Sequence, residues 1–410
     1  METLNNQSVD MMEEIKAVCG FENRGPCEEG EREAAEYLKS RMNDIGLKAE
    51  IEPIKVYPHF YRMGIIAIVL ILGWSAATIW SSHAAWIPWV ASSVCLYLSI
   101  AIWGDVSYRF YIFRRLFPQY PSQNVAGSIP CNEAKKHIFV SGHIDAARVG
   151  PHLYDPEMNK KLSKFLMDKL NMSVSPVLPM NIAMFVLTIV CIIRIIVRSG
   201  TAMWISTGIF QALASVILLV GLVALLDIET GHVVCGANDN TTAVAACLSI
   251  AESIVREPLK NSEFTCLLLG CEEALSPGMA AFIKKHSREL DRENTYFINL
   301  ESIGGGTIHY TTAEGFVNVT EHDKELVSLA RKLKVSGEFP ELGTYVVRMG
   351  TDAGVPNVRG FKAITLIGLD EYYTPTVYHC DDDNPENIDI STVERGRDLA
   401  LRMIRELDKG

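Results

Sequence analysis

The sequence predicts an α/β fold, with a mixed, mostly parallel sheet covered by helices on both faces and two inserted transmembrane helical hairpins. Two patterns support this prediction. Short apolar segments of strand length alternate with segments of helix length, which is typical of a parallel sheet that is buried on both faces. In addition, four much longer apolar segments occur as two closely spaced pairs, and each is long enough to cross a bilayer.

The composition agrees with a polar domain that carries separate apolar blocks. Of the 410 residues, 48% are hydrophobic and 21% are charged, and the mean hydropathy is +0.14. The net charge of -11 argues against a nucleic-acid partner, because binding of phosphates needs a basic face. The 10 cysteines include no CxxC pair, which favours reduced core thiols over a disulfide scaffold.

The apolar blocks predict transmembrane hairpins at residues 59–103 and 177–227. The segments 63–80, 84–103 and 201–226 contain no charged residue, and the segment 177–197 contains only Arg194, near its end. Each is long enough for a hydrocarbon core of ~30 Å at about 1.5 Å per residue. Tryptophans lie in the first pair, several near its ends, as in an interfacial belt; these are Trp74, Trp80, Trp86, Trp89 and Trp103. A lipid bilayer is therefore an expected partner.

The distribution of basic residues predicts how these four spans are oriented. Two hairpins leave all the polar sequence on one side of the membrane. On that side the spans are flanked by Lys55, Arg62, Arg109, Arg114, Arg115, Lys160, Lys161, Lys164 and Lys169. The opposite turns offer only Arg198, so the positive-inside rule places the polar domain and both termini in the cytoplasm. Whether the chain forms a homo-oligomer is left open.

The remaining residues, 1–58, 104–176 and 228–410, are of a suitable size for one α/β domain. Strands are predicted at 137–142, 264–270, 296–300, 345–349 and 363–367. Helices are predicted at 28–45, 241–255, 277–290, near 321–333, and from a capping box at Ser391 and Glu394 to Leu407.

Acidic and imidazole side chains stand at the ends of these strands. They are His143 and Asp145 after the first strand, Glu272 and Glu273 after the second, Glu301 after the third, His379 in a loop beyond the last, and Asp239 just before a helix. In open α/β sheets, ligands bind beyond the carboxyl ends of the strands. Carboxylates gathered there repel one another unless a divalent cation lies between them, and zinc accepts both carboxylate and imidazole ligands. The set suits a pair of zinc ions that share one carboxylate.

Several strings resemble those of the di-zinc metallopeptidases of the bacterial leucyl aminopeptidase and glutamate carboxypeptidase type. These strings are EEGEREAAEYL, SQNVAGSIP, SGHIDA, GANDNTTAVAA, GCEEALSPGMAAF, NLESIGGG and YHCDDDNPENID. The resemblance covers the polar domain and neither hairpin. It implies a zinc aminopeptidase-like fold, a peptide substrate and two zinc ions. His143 and Glu301 would hold one ion, Glu273 and His379 would hold the other, and Asp239 would bridge both. Most relatives have aspartate where this chain has Glu301.

The resemblance also implies roles for residues that do not bind metal. Asp145 would orient His143 through the second ring nitrogen. Glu272 would act as the general base, and later deliver the proton to the leaving amine. Tyr378 would stabilise the tetrahedral oxyanion. Asp352, which follows a predicted strand, would either contact the amino group of the substrate or order its own loop.

Three functions fit these residues. The first is a membrane-anchored zinc peptidase, an aminopeptidase or other exopeptidase, which all five ligands and the base favour. The second is a non-catalytic membrane scaffold of the same fold, as in nicastrin-like relatives, which loss of the ligands would favour. The third is a zinc amidohydrolase or a glutaminyl cyclase-like enzyme, which only a substrate screen separates from a peptidase.

Overall fold

The computed structural model describes residues 9–409, apart from 82, 151, 154, 171, 174 and 198. Arg198, the basic residue counted in the turns opposite the polar domain, therefore lies outside the described residues. The helices are α1 (Met11–Cys19), α2 (Glu29–Ile45), α3 (Phe60–Ala77), α4 (Ile87–Val106), α5 (Pro156–Leu170), α6 (Val177–Ile193), α7 (Ala202–Thr230), α8 (Thr242–Arg256), α9 (Pro277–His286), α10 (Lys324–Val335), α11 (Gly354–Val358) and α12 (Ile390–Lys409). The strands are β1 (Lys48–Val56), β2 (Tyr120–Ile129), β3 (Lys136–His143), β4 (Ser262–Leu269), β5 (Thr295–Glu301), β6 (Thr307–Glu314), β7 (Thr320–Glu321), β8 (Gly343–Val347) and β9 (Lys362–Leu369).

The strands form one mixed sheet in the order β1-β2-β4-β3-β5-β9-β6-β7, with β8 paired to β6. The central strands β4, β3, β5 and β9 are mutually parallel. Antiparallel pairings join β1 to β2 and β2 to β4 on one side, and β9 to β6 on the other. The predicted α/β fold, with a mostly parallel sheet at its centre, is confirmed. The carboxyl ends of the four central strands consequently lie at the same edge.

Alternating side chains bury the two faces of the sheet in separate cores. Ile138, Val140 and Ile298 pack on one face together with apolar residues of α1, α2, α8, α10 and α12. Phe139 and Phe297 face the other way, where their rings stack with centroids 4.7 Å apart. This second core continues through α9 and α11 into α3, α4, α6 and α7. The sheet and the apolar helices therefore share one continuous hydrophobic core.

The apolar helices α3, α4, α6 and α7 pack into a bundle, which we call the helical bundle. Within the described part of the chain, three helices are long and apolar enough to cross a membrane: Phe60–Trp80, Ile87–Val106 and Ala202–Thr230. The apolar helix Val177–Ile193 is shorter, at 17 residues. Large apolar side chains of α7, such as Ile209, Phe210 and Leu213, are exposed on its outer face. Length, composition and this exposure suggest association with a membrane.

Several boundaries differ from those predicted. The last helix begins at Ile390, and the Asp389 carboxylate accepts a hydrogen bond from the Ser391 backbone N–H. Asp389 therefore caps the helix, and the predicted capping box at Ser391 is wrong. The helix that starts at Pro277 ends at His286 rather than at Leu290. Helix α7 continues to Thr230, beyond the predicted end of the second hairpin.

A buried ion pair joins the helical bundle to the edge of the sheet. Arg114 donates from Nε to Asp105 Oδ2 at 2.9 Å, and the two side chains are 2% and 1% exposed. Arg114 also donates to the backbone oxygen of Ala274 at 3.1 Å. Because Asp105 lies in the last turn of α4 and Ala274 follows Glu273, this contact fixes the loop after β4 against the bundle.

We expect Arg114→Ala to lower the free energy of unfolding by about 3–5 kcal/mol, because it leaves the Asp105 carboxylate buried without its cation. Thermal unfolding of the purified protein in detergent measures the effect. Arg115→Ala, at the exposed neighbouring position, is the matched control and should change stability by less than about 0.5 kcal/mol. Equal effects of the two substitutions would contradict the role given to the ion pair.

Candidate metal centre

The parallel strands deliver the predicted site residues to one edge of the sheet. His143 is the last residue of β3, and Glu301 is the last residue of β5. Glu272 and Glu273 follow β4 within a short 3-10 turn. His379 lies in the long loop after β9, and Asp239 lies in the turn that precedes α8. All of these side chains converge, although His143 and Asp239 are separated in sequence by α6 and α7.

Two groups of three side chains share Asp239. In the first group, His143 Nε2 lies 3.1 Å from Asp239 Oδ1 and 3.4 Å from Glu301 Oε1. In the second group, His379 Nε2 lies 3.1 Å from Asp239 Oδ2 and 3.5 Å from Glu273 Oε1. The three ligand atoms of each group lie within 4.8 Å of one another. Asp239 therefore turns one carboxylate oxygen towards each group.

These separations fit a divalent cation held in each group. Zinc ligands lie about 2.0–2.2 Å from a tetrahedral ion, so neighbouring ligand atoms are ~3.3 Å apart. The four nitrogen–oxygen distances of 3.1–3.5 Å bracket that value. The 3.5 Å between His379 and Glu273 exceeds an ordinary hydrogen bond, but it suits two ligands of one ion. Imidazole and carboxylate together are a donor set that zinc accepts.

The electrostatics of the group explain why it needs cations. Burial raises the pKa of Glu273, and it raises the pKa of Glu301 to about 7. Burial also acts to raise the pKa of Asp239, but hydrogen bonds from His143 and His379 outweigh it and lower this pKa. In the same way, contacts with the carboxylates outweigh burial and raise the pKa of both histidines. Because zinc binds neutral imidazole, zinc competes with protons for these two histidines.

Asp145 orients His143 and the turn of Glu272 and Glu273, but mainly through contacts that the sequence did not predict. His143 donates from Nδ1 to the backbone oxygen of Asp145 at 2.9 Å, which leaves Nε2 directed at the other ligands. The Asp145 carboxylate is 3.6 Å from Nδ1. It accepts instead from the backbone N–H groups of Glu272, at 2.8 Å, and Glu273, at 3.0 Å. One residue thus orients a histidine and the turn that carries both glutamates.

Glu272 and Tyr378 lie beside the two groups of ligands. Glu272 Oε1 accepts a hydrogen bond from Ser276 Oγ at 2.9 Å, while Oε2 is 4.0 Å from His143 Nε2. Burial, opposed by His143 and reinforced by neighbouring carboxylates, raises the pKa of Glu272 well above its usual value. The Tyr378 ring stacks on the His379 ring with centroids 3.8 Å apart. Both residues line a cavity of about 660 Å³ that begins at the site.

Asp352 is placed differently. Its side chain is fully buried and is absent from the wall of this cavity. Burial raises its pKa well above the usual value, with Glu301 and Asp145 as further causes. Among the described residues, neither carboxylate oxygen of Asp352 has a hydrogen-bond partner, so contact with the amino group of the substrate and ordering of its own loop both stay predictions.

Two further residues support the ligands and were not identified from the sequence. The buried Asp383 carboxylate accepts from the backbone N–H groups of Asn238, at 2.5 Å, and Asp239, at 3.1 Å. Burial raises the pKa of Asp383 to about 8. Asn299 donates from Nδ2 to Glu301 Oε2 at 3.2 Å. The only signal for Asp383 was its place in a run of three aspartates, 381–383, which does not show which of them turns inward.

Comparison with known proteins finds one family model that matches part of the chain. Residues 220–404 match the model of peptidase family M28. The chain carries a peptidase family M28 domain. The predicted resemblance to zinc peptidases is thereby confirmed, and the protein is a hydrolase. The matched region contains Asp239, Glu272, Glu273, Glu301 and His379, whereas His143 lies before it.

Solved structures with the same fold include three zinc peptidases or related enzymes. A Zn-dependent exopeptidase from Parabacteroides distasonis superposes with a TM-score of 0.53 at 13% identity, covering 97% of this chain and 99% of its own. A zinc aminopeptidase from Bacillus subtilis superposes with a TM-score of 0.54 at 11% identity, covering 99% of this chain and 96% of its own. A glutaminyl cyclase from Porphyromonas gingivalis superposes with a TM-score of 0.54 at 11% identity, covering 97% of this chain and 96% of its own. At these identities the likeness concerns the fold. No curated protein sequence matches the chain.

We expect Asp383→Ala to weaken zinc binding by about 10–100-fold, the usual effect of removing a residue that orients a metal ligand. The reason is that the backbone N–H groups of Asn238 and Asp239 lose their acceptor. Zinc titration against a competing chelator measures the change. Asp382→Ala, at the adjacent exposed position, is the control. An unchanged zinc affinity in Asp383→Ala would contradict the proposed support.

Proposed function

We propose that this hydrolase is a membrane-embedded exopeptidase, or a closely related amide hydrolase, that works with two zinc ions. The single observation that carries the proposal is the pair of ligand groups that share Asp239. Each group supplies one imidazole and two carboxylates, at separations suited to zinc. A catalytic zinc site keeps one coordination position for water or substrate, and three protein ligands leave that position available.

The residues around the groups have complementary roles in this proposal. The two ligand groups that share Asp239 would hold zinc, which would lower the pKa of a water molecule and polarise the scissile carbonyl. Glu272 takes the proton of the attacking water at Oε2 and returns it to the leaving nitrogen, while Ser276 holds Oε1 in place. Burial raises the pKa of Glu272, which makes its carboxylate a stronger proton acceptor than an exposed glutamate. Tyr378 directs its hydroxyl to the tetrahedral oxyanion, and its stacking on His379 fixes the ring.

The names of the structural neighbours support two reaction types for the proposal. The exopeptidase and the aminopeptidase hydrolyse peptides, as their names state. The glutaminyl cyclase keeps the same fold with a different reaction, so a peptide that begins with glutamine belongs in any substrate screen. The complete ligand set and Glu272 favour hydrolysis, and they disfavour the non-catalytic scaffold.

We further propose that α3, α4, α6 and α7 all span the bilayer and that the peptidase domain and both termini are cytoplasmic. The four helices form one bundle, so α6 packs against neighbours that are long enough to span. Residues 104–176 return from the first hairpin to the sheet and lead into the second, so both hairpins begin and end on the same side. Basic residues such as Arg62, Lys164 and Lys169 flank the bundle on the side of the domain.

We expect Glu272→Gln to lower kcat for a peptide substrate by about 10²–10⁴-fold, the usual contribution of a general base. Zinc content should stay unchanged, because Glu272 is assigned to neither ligand group. Rates of hydrolysis and elemental analysis of the same preparation measure both quantities. Glu293→Gln, at an exposed position remote from the site, is the control. Full activity of the Glu272→Gln variant would show that Glu272 is not the general base.

The orientation predicts that an epitope placed after Gly410 is reached by antibody only after intact cells are permeabilised. An epitope inserted after Gly200, in the turn between α6 and α7, should be reached without permeabilisation. The positive-inside rule is the physical reason for both expectations. Labelling of intact and permeabilised cells is the measurement, and the reverse pattern would overturn the cytoplasmic assignment.

A further inference from the structure

The cavity beside the metal centre extends away from it into the helical bundle. At one end its wall contains Glu272, Glu273, Tyr378 and His379. At the other end the wall is formed by side chains of all four apolar helices, among them Ile68, Ile102, Met184 and Leu225. A single cavity of about 660 Å³ therefore connects the reacting centre with the interior of the bundle. This volume is in the range that accommodates a small molecule rather than a protein segment.

The cavity penetrates the bundle from the side of the sheet. On α3 the lining residues run from Phe60 to Ile68, which is ~12 Å along the helix axis. On α6 they run from Val177 to Met184, which is ~10 Å. In both helices the lining begins at the end that is attached to the peptidase domain. This length is about a third of the thickness of a hydrocarbon core, which is ~30 Å.

The residues that line the cavity within the helical bundle disfavour a peptide as its occupant. Among the lining residues on α3, α4, α6 and α7, only Tyr61 and Asn181 carry polar side chains, and the rest are apolar or glycine. An extended peptide has one N–H and one C=O per residue, and each of these loses free energy when it is buried without a partner. A hydrocarbon chain has no such groups, and its burial is favourable along its whole length.

Helix α5 forms a further apolar wall between the cavity and the outside. Met158 and Leu162 line the cavity, yet they remain 62% and 47% exposed. Phe165, one turn further on, is 57% exposed. Lys161 and Lys164 lie between these residues on the same helix. An amphipathic helix of this kind suits the boundary between head groups and acyl chains, where molecules that carry a hydrocarbon chain are concentrated.

We propose that the substrate is an amide that carries a long unbranched hydrocarbon chain, and that this chain lies in the cavity between α3, α4 and α6 while the amide reaches the metal centre. The inference rests on the proposed function and specifies its substrate. Water adds across the C–N bond: its oxygen joins the carbonyl carbon, the C–N bond breaks, and the nitrogen leaves as an amine with the proton that Glu272 carries. The products are a carboxylic acid and an amine.

The test compares zinc-loaded full-length protein on N-acyl leucines with acyl chains of 2, 8 and 16 carbons, and on leucine 4-nitroanilide. We expect kcat/KM to rise by about 100-fold or more from the shortest to the longest chain, because each buried methylene adds to binding. Ile68→Phe, which fills the deep part of the cavity, should lower kcat/KM for the 16-carbon chain at least tenfold. It should leave leucine 4-nitroanilide within twofold.

Ile66→Phe is the matched control, since Ile66 lies on the same helix but is 39% exposed and is absent from the cavity wall. It should change neither rate, and it also corrects for partition of long chains into detergent. Met184→Phe tests the opposite wall on α6 and should act like Ile68→Phe.

Three results would overturn the inference alone. The first is a rate on the N-acyl leucines that does not depend on the length of the acyl chain, while leucine 4-nitroanilide is hydrolysed. The others are a preference for leucine 4-nitroanilide over every N-acyl leucine, and equal effects of Ile66→Phe and Ile68→Phe. Hydrolysis of peptides but of none of the four compounds would also overturn this inference alone. Failure of zinc-loaded protein to act on the four compounds and on a peptide screen that includes peptides beginning with glutamine would overturn the proposed function, and with it this inference.

Discussion

The two-sided contact of Asp239 is the interaction on which the rest of the site depends. Each of its carboxylate oxygens lies 3.1 Å from a different imidazole, one on His143 and one on His379. Without this shared carboxylate the two groups would be separate and incomplete. Its position is in turn determined by Asp383, which accepts from the backbone of the Asp239 turn, and by the N-terminus of α8 behind it. Burial of so much negative charge is tolerated only where cations are present.

The fold makes this convergence possible even though the chain leaves the sheet twice. The central strands are parallel, so the ends of β3, β4, β5 and β9 meet at one edge whatever lies between them in sequence. Each apolar hairpin begins and ends beside that edge. The ion pair of Arg114 with Asp105, and the bond from Arg114 to Ala274, fix the bundle directly beneath the turn of Glu272 and Glu273. The bundle is thus part of the wall of the site, and the cavity between them is the physical basis for the proposed choice of substrate.

The sequence predicted those parts of the structure that depend on local pattern and on strand direction. Polar residues directly after apolar strands, such as His143 and Glu301, were placed correctly at one edge because parallel strands end together. Strands β1, β2, β6 and β7 were missed. The alternation of β1 and β2 is weak, and β1 contains Pro53. Asp145 was identified, but its main contact is made by its backbone oxygen, and main-chain contacts leave no side-chain signal. Cys271 and His379, which have φ angles of 63° and 49°, adopt left-handed conformations that residue type alone does not indicate.

The zinc content of the protein and of its ligand variants shows whether Asp239 joins two metal sites. Protein purified with zinc, then freed of loosely bound metal, can be compared with Asp239→Ala, with His143→Ala and with His379→Ala by elemental analysis. We expect two zinc ions in the unmodified chain, at most one in either histidine variant, and loss of both ions in Asp239→Ala, because only that residue serves both groups. Two ions retained in Asp239→Ala, or none in the unmodified chain, would contradict this expectation.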